Sequence, residues 1–421
     1  MAKIKYNKNQ ILYFFEAAFE YLITVLIGES YLATLTSYLG FSDSLTGILS
    51  SIISLGALFQ LVSMLIHRKK MKGFVVLFSI LNQLMFAFLY AVPIIPLPKT
   101  AKIIVFTVLI ISAYFIYNVA HPKKVDWLMK SVDDGIRGRF TANKEMISLI
   151  IGMLFSFLMG NIVDSLKAQN NFTAAFIICG ATIAVLMLGH TLVLLLSDEK
   201  EDAKSPKKIN LSEQLRAVFT DKSIQKITFV FVLWSVAKSF SEPFNAIYMI
   251  KELGFSLAFI SVLQIIQGIV RIIFSPVMGA YADKNGFAKM LKICFAFAFA
   301  GFAVTVFATP KNGAVIFTVH FILHGVAHAG IHSALINLVF DYVSPQKRAD
   351  SLAVTQSVSG LFGFCATLLG AALLDKIQAA ENTLFAISVY AQQVLSLIAA
   401  VLILLLMLFL QTSIINKNTK R

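Results

Sequence analysis

The chain has few charged residues for its length, and it is also poor in cysteine, proline and tryptophan. Only 14% of its 421 residues are charged, whereas 58% are hydrophobic and the mean hydropathy is +0.79. A soluble globular domain does not need so much apolar surface. The composition therefore excludes an ordinary soluble protein and indicates a protein of the lipid bilayer.

Sequence patterns of covalent chemistry are also missing. The three cysteines (Cys179, Cys294 and Cys365) lie in apolar segments without CxxC spacing, and we expect them to be packing residues. There is no HExxH zinc pattern, Walker loop, glycine-rich nucleotide loop or Ser/His/Asp pattern. We therefore predict that the chain is not an enzyme, uses no ATP and carries no cofactor.

Long apolar runs recur along the whole chain. A run of about 20 residues spans the hydrocarbon core of a bilayer as a helix. The runs carry glycine and aromatics without the alternation of a barrel strand, so we predict an all-α membrane protein. Twelve predicted spans cover residues 11–36, 45–66, 73–94, 102–121, 141–163, 172–196, 226–250, 256–281, 287–308, 312–341, 351–374 and 383–412.

The net charge of +14 is explained by membrane topology rather than by nucleic-acid binding. If the N-terminus is cytoplasmic, 27 Lys and Arg residues lie in inner segments and six in outer loops. This positive-inside asymmetry predicts that both termini are cytoplasmic. The first apolar run is too long for a cleavable signal peptide. Because the loops are short and no domain is appended, we predict a multi-pass protein of the bacterial inner membrane.

The spans fall into two groups of six, separated by the longest polar stretch. We predict an N-terminal bundle over 1–197, a cytoplasmic linker over 198–225 and a C-terminal bundle over 226–421. Within the linker, residues 210–213 read as a capping box that opens a short amphipathic helix, with a disordered linker as the alternative. A weak repeat at an offset of 211 relates the two halves, as in many secondary transporters. It pairs Arg137-Gly138 with Arg348-Ala349, Gly152 with Gly363, and Asp164 with Asp375.

The loop after the eighth span carries a motif of a known family. Gly279-Ala-Tyr-Ala-Asp283-Lys-Asn-Gly286 resembles the Gly-x-x-x-Asp-Arg-x-Gly loop of the major facilitator superfamily, although Phe287 stands where a basic residue is usual. Gly286 would permit a tight turn, and Asp283 would form a switchable ion pair. The companion loop after the second span has His67 in place of the acid and lacks the glycine. Trp127 followed by Arg137-Gly-Arg-Phe140 resembles a loop of bacterial members.

The twelve-span layout resembles the same family over nearly the whole chain. The resemblance implies alternating access, in which two bundles rock about a central site lined mainly by the first, fourth, seventh and tenth spans. Ionisable groups at bilayer depth are functional candidates by default, because they are costly unless paired or hydrated. Glu16 and Glu20 share one face of the first span, as proton carriers or as partners of a basic residue on a neighbouring helix.

Other polar residues lie in the spans expected to line the site or to adjoin it. Lys238 and Glu242 are four residues apart in the seventh span, either as an intrahelical ion pair beside a kink at Pro243 or as a substrate or coupling site. In the eighth span, Arg271 either binds an anionic group or neutralises a glutamate. Further candidates for cavity lining are Tyr114, Tyr117, Asn118, Asn245, Gln264 and Gln267.

Four of the seven histidines occur in the tenth span at intervals of four residues: His320, His324, His328 and His332. On one helix, neighbouring members of such a series share a face. Imidazole titrates near neutral pH and binds metals, so His324 and His328 are candidate proton carriers, ligand contacts or metal ligands. Four in a row cannot bind one ion, and a tight site needs further ligands such as Glu20 or Glu242. Imidazoles hydrogen-bonded between helices remain the structural alternative.

The sequence therefore predicts a secondary transporter for a small polar or charged solute, coupled to protons and monomeric in the bilayer. A sugar is less favoured, because the only tryptophans are Trp127 in a loop and Trp234 in the seventh span. Two alternatives stay open. One is a transporter of a divalent metal ion or metal chelate, and the other is a non-transporting receptor or lipid-handling protein on the same fold.

Overall fold

The computed structural model of the protein describes residues 6–64, 66, 70–133, 136–199, 220–343, 348–384 and 387–416. Most of the loop around His67 and most of the predicted linker helix, including residues 210–213, lie outside the described residues. The described chain is almost entirely helical. A two-residue hairpin, β1 (Thr383–Leu384) and β2 (Ile387–Ser388), pairs antiparallel before the last helix.

The described residues of the first half of the chain form eight α-helices. They are α1 (Lys8–Ile27), α2 (Glu29–Tyr38), α3 (Asp43–Ser51), α4 (Gly56–Met64), α5 (Lys72–Leu89), α6 (Lys99–Met129), α7 (Arg137–Ala168) and α8 (Phe172–Leu196). A 3₁₀ turn, Ile52–Leu55, joins α3 to α4. The capping box of Asn7 and Gln10 starts α1, and Ser42 caps α3 by accepting from the Leu45 N–H.

The described residues of the second half form a further eight. They are α9 (Lys222–Ser239), α10 (Glu242–Lys251), α11 (Leu257–Asn285), α12 (Phe287–Thr305), α13 (Gly313–His328), α14 (Ile331–Tyr342), α15 (Arg348–Ala379) and α16 (Ala391–Leu410), the last continued by a π-helical turn, Gln411–Ile415. Gly286 stands between α11 and α12 with φ of +87°, a left-handed conformation that glycine adopts without strain. The tight turn expected there is present.

Ten helical stretches of the described chain are long and apolar enough to cross a membrane. Two predicted spans lie outside this set. The span 45–66 is interrupted by the 3₁₀ turn Ile52–Leu55, and the span 226–250 is interrupted by a break at residues 240–241. The prediction of an all-α membrane protein is confirmed.

The structure differs from the sequence interpretation in four details. The first span is broken at Gly28, where the backbone is extended, and the fourth continues from 121 to Met129 with Pro122 inside the helix. The tenth span is broken at Ala329–Gly330. In addition, Cys365 is exposed on α15 rather than packed, whereas Cys179 and Cys294 are buried as expected.

The described contacts divide the chain into two compact units. Unit 1 comprises residues 1–41, 59–208 and 256–261, and unit 2 comprises 42–58, 209–255 and 262–421. An aromatic cluster in unit 1 joins Tyr13 and Phe140, while a larger core in unit 2 is built on α9, α12, α14 and α16. The helix α3 packs with unit 2 against α10 and α15. The boundaries predicted at 197 and 226 stay a prediction.

Candidate functional site

A buried cluster of charged residues occupies the interior of unit 1. Glu16 and Glu20, one turn apart on α1, both contact the ammonium of Lys124 on α6. The Lys124 Nζ lies 2.6 Å from Glu16 Oε1 and in still closer contact with Glu20 Oε2. Glu16 is 2% exposed and Lys124 is 4% exposed. Two carboxylates therefore share one buried cation, which offsets the cost of burying their charges.

Two histidines and a tyrosine complete this cluster. His190 Nε2 on α8 lies 3.2 Å from Glu16 Oε1 and 3.7 Å from Glu20 Oε2. His121 Nδ1 lies 3.2 Å from Glu20 Oε1, to which the Tyr117 hydroxyl donates at 2.8 Å. Because Tyr117, His121 and Lys124 are spaced four and three residues apart, α6 presents them on one face. The arrangement joins carboxyl and imidazole groups that can pass a proton between them.

Lys124 and His190 are the members that the sequence interpretation missed. Lys124 had been placed in an inner loop, although its position seven residues after Tyr117 could have placed it on the same helix face. His190 is the lone histidine of the sixth predicted span, which was a weaker signal. Its other ring nitrogen, Nδ1, lies 3.0 Å from Gln83 Nε2, so both ring nitrogens have partners.

A second cluster lies in unit 2 around the start of α10. Glu242, His324 and His328 bring one ligand atom each to within 4.8 Å of one another. His324 Nδ1 lies 4.0 Å from Glu242 Oε1. The rings of His324 and His328 have centroids 5.7 Å apart. The two histidines predicted to act together are therefore neighbours, and the structure joins Glu242 to them.

The remaining two histidines of the series have different surroundings. His320 stacks on His324 with ring centroids 4.0 Å apart, and its Nδ1 lies 3.0 Å from the Gly301 carbonyl oxygen on α12. His332 is exposed on α14, beyond the break at Gly330. The prediction that the four histidines lie along one continuous helix is therefore wrong for His332. A continuous helix was expected because the apolar pattern itself does not change at the break.

The predicted pair of Lys238 and Glu242 is also altered. The helix is interrupted between them, so Glu242 opens α10 with Pro243 in its first turn. The one-turn spacing of a continuous helix is lost. Asn245 on α10 is buried, and its side-chain oxygen accepts from Gln392 Nε2 at 2.5 Å.

The other predicted lining residues are dispersed within their own units. Asn118 Oδ1 accepts from Gln60 Nε2 at 3.4 Å, and the Tyr114 ring packs edge-on against Phe86. Gln264 and Arg271 are exposed on α11, with Gln267 half-buried between them. Gly279 and Asp283 are exposed near the end of the same helix. Roles for these residues in substrate binding or switching stay predictions.

Comparison with known proteins agrees with this architecture. The family described as MFS/sugar transport protein matches residues 63–416. No curated protein matches the sequence. Among solved structures, the nucleoside transporter NupG is similar with a TM-score of 0.69 and 15% identity, over 96% of this chain and 98% of that one. A D-xylose-proton symporter is similar with a TM-score of 0.69 and 14% identity, over 96% of both chains.

A third similar structure is that of a bacterial metal transporter, with a TM-score of 0.61 and 13% identity, over 97% of this chain and 98% of that one. At these identities the likeness shows the fold alone. The family match covers most of the chain, so the chain belongs to the MFS/sugar transport protein family. It is a multi-pass membrane transporter of the major facilitator fold, as the loop motif and the twelve-span layout had indicated.

Proposed function

We propose that the protein is a secondary active transporter that couples the movement of a small polar or charged solute to protons by alternating access. The observation that carries this proposal is the buried cluster of Glu16, Glu20, Lys124 and His190. Carboxyl groups inside a membrane helix bundle are costly to retain, and in transporters they mark proton relays. No covalent chemistry is required of any residue, in agreement with a protein that is not an enzyme.

The cluster supports proton coupling through the shared cation. While both carboxylates are ionised, Lys124 is held between them and the pair of helices α1 and α6 is tied together. Protonation of one carboxyl removes half of the attraction on Lys124, so the contact between the helices weakens. A small cavity lined by Glu20, Tyr117, His121 and Lys124 lies directly against the ion pair. Proton binding would therefore bias one conformation of the transporter over another.

The solute would bind with the help of the Glu242, His324 and His328 cluster, which offers a carboxylate and two imidazoles. This donor set suits a polar or charged solute better than a sugar, for which aromatic stacking surfaces are usual. Of the two tryptophans, Trp234 packs against Phe295 and His328, and Trp127 donates to the Asp198 carbonyl. We further propose a monomer in the bacterial inner membrane, with both termini cytoplasmic.

Transport in proteoliposomes tests the proposal. Purified protein is reconstituted around an internal pH dye, and a panel of small organic and inorganic ions and polar solutes is added in turn. We expect at least one solute to change the internal pH. Glu20→Gln should retain exchange of that solute but lose the pH change, whereas Glu145→Gln, an exposed carboxylate in the first part of α7, should behave as wild type. Solute uptake that is indifferent to a pH gradient would refute proton coupling.

A further inference from the structure

At two places in the described structure, three side chains of types that can bind a metal ion lie close together. One is formed by Glu16, Glu20 and His190, and the other by Glu242, His324 and His328. They differ in what already occupies them. In the first, the Lys124 ammonium contacts both carboxylates, so the position of a cation is filled.

The second cluster has buried polar atoms without partners. Among the described residues, neither Glu242 Oε1 nor His324 Nε2 has a hydrogen-bond partner, although both atoms are buried. Buried polar atoms are normally satisfied, because leaving one unsatisfied costs about 1–3 kcal/mol. The whole His324 side chain is enclosed, since the residue is only 3% exposed. His324 Nε2 lies against Gly301, whereas Nδ1 of the same ring is the nitrogen that faces Glu242. An unsatisfied carboxylate oxygen that faces an imidazole nitrogen is what a site for a cation would present.

The spacing of the ligand atoms is close to that of a metal site. Bonds of about 2.0–2.1 Å to a tetrahedral ion place two ligand atoms roughly 3.4 Å apart. The three atoms here lie within 4.8 Å of one another, and His324 Nδ1 is 4.0 Å from Glu242 Oε1. Contraction by about 0.6 Å between these two atoms, and by at most about 1.4 Å for any pair, would bring the three around one ion.

The surrounding side chains hold the imidazoles in place. Phe302 meets the His324 ring edge-on at 4.7 Å between centroids, and Trp234 meets His328 in the same manner at 6.2 Å. Gly301 lies against the His324 ring so closely that a Cβ atom there would overlap it. Two cations compete with an ion at this cluster: the charge of Lys238 acts on both Glu242 and His328, and that of Arg271 acts on His328.

We propose that Glu242, His324 and His328 bind a divalent transition-metal ion of the zinc, manganese, iron(II) or cobalt class, and that this ion is the transported solute. The identity of the solute rests on the proposed transport function, whereas binding does not. One carboxylate and two imidazoles suit these metals, while magnesium and calcium take oxygen ligands and copper(I) takes thiolates. Three protein ligands leave coordination positions open, so the ion can exchange.

Cobalt(II) titration of the purified full-length protein tests binding, because its visible absorption reports the coordinating ligands. The protein carries an affinity tag without histidine and is held in nanodiscs. We expect saturable binding of one ion, displaced by zinc. Removal of a ligand in Glu242→Gln, His324→Ala or His328→Ala should weaken binding at least about tenfold. Lys238→Met should tighten it, because one competing charge is gone.

His332→Ala is the matched control, since His332 belongs to the same series in sequence but lies outside the cluster. Its affinity for cobalt should equal that of the wild type. Glu242→Gln is nearly isosteric, and size-exclusion profile and thermal melting show whether each variant is folded. Absence of binding to the folded wild type, or equal binding by wild type and folded ligand variants, overturns the inference.

Uptake of the same ion into proteoliposomes separates the two proposals. Binding that is lost in the ligand variants, without any transport, would leave the metal site and overturn the transport proposal. Proton-coupled uptake of an organic solute by a protein that binds no cobalt or zinc would overturn the metal site and leave the transport proposal standing. Metal uptake that fails in His328→Ala and persists in His332→Ala supports both.

Discussion

At the scale of single residues, Lys124 is the group on which the charge balance of unit 1 depends. It is the cation that two carboxylates on α1 share, and it is itself almost completely buried. Removal of one partner from a buried ion pair leaves an uncompensated charge in a medium that solvates it poorly. The two glutamates were identifiable from sequence because they stand out in an apolar run, whereas their partner was assigned to a loop.

Lys124→Met should destabilise the protein by about 3–5 kcal/mol, the usual cost of breaking a buried pair. The measurement is thermal melting of the detergent-purified protein at neutral pH. Lys123→Met is the matched control, because the neighbouring lysine is only half-buried and its substitution should cost within about 0.5 kcal/mol. Equal melting temperatures for the two variants would show that Lys124 is not the counter-ion inferred here.

At the scale of helices, the breaks in the chain decide which groups meet. The break before α10 puts Glu242 in the first turn of a helix, where the exposed N–H groups favour a negative charge. The break at Gly330 separates His332 from the three other histidines. Neither break follows from hydrophobic periodicity, because the apolar pattern runs through both. Pro243, at which the sequence predicted a kink, is the local signal of the first break, because proline is favoured in the first turn of a helix.

The end of α10 forms an ion cluster with the beginning of α3. Lys251 Nζ lies 2.5 Å from Asp43 Oδ1, and Gln378 Nε2 on α15 donates to Asp43 Oδ2 at 2.7 Å. Glu252 follows directly in the chain. Burial, together with the nearby charge of Asp43, raises the pKa of Glu252, and Lys251 only partly opposes this. An acid whose pKa is raised by folding is destabilising once it ionises.

The melting temperature should therefore contain a component that falls as pH rises through the raised pKa of Glu252, and Glu252→Gln should remove it. Below the unfolded pKa the group is protonated in both states and contributes nothing. Melting curves from about pH 4 to pH 7 bracket the carboxyl range. Glu381→Gln, at an exposed carboxylate, should leave the pH profile unchanged. A wild-type profile retained in Glu252→Gln would contradict this assignment.

At the scale of the whole molecule, the distribution of basic residues predicts orientation. The segments predicted to be cytoplasmic carry most of the Lys and Arg residues, a bias that sets the direction of insertion into the membrane. Lys284, in the last turn of α11, should face the cytoplasm, and Lys311, before α13, should face outward. Both side chains are exposed, so a cysteine at either position is reachable by reagent.

Single-cysteine labelling checks the orientation. In a background without the three native cysteines, Lys311→Cys should react with a membrane-impermeant maleimide in right-side-out vesicles. Lys284→Cys should react only after the vesicles are opened. The reverse pattern would mean that the topology is inverted, and labelling of both from outside would refute the one span predicted between them, 287–308.

Composition, run length and local motifs were enough to recognise a membrane protein, to place its spans and to find the family resemblance. These three conclusions hold even if a predicted boundary is wrong by several residues. The sequence also identified Glu16, Glu20, Glu242, His324 and His328, because ionisable residues are conspicuous in apolar runs. Their roles are still predictions.

Only the tertiary structure decided which of these groups meet. Lys124 and His190 contact Glu16 from positions 108 and 174 residues further along the chain, and Glu242 faces histidines that lie more than 80 residues away. Side-chain pairing over such separations depends on helix rotation, on breaks and on packing. Local patterns such as Pro243 signal some of these features, but the pairing itself is encoded only through the sum of all contacts.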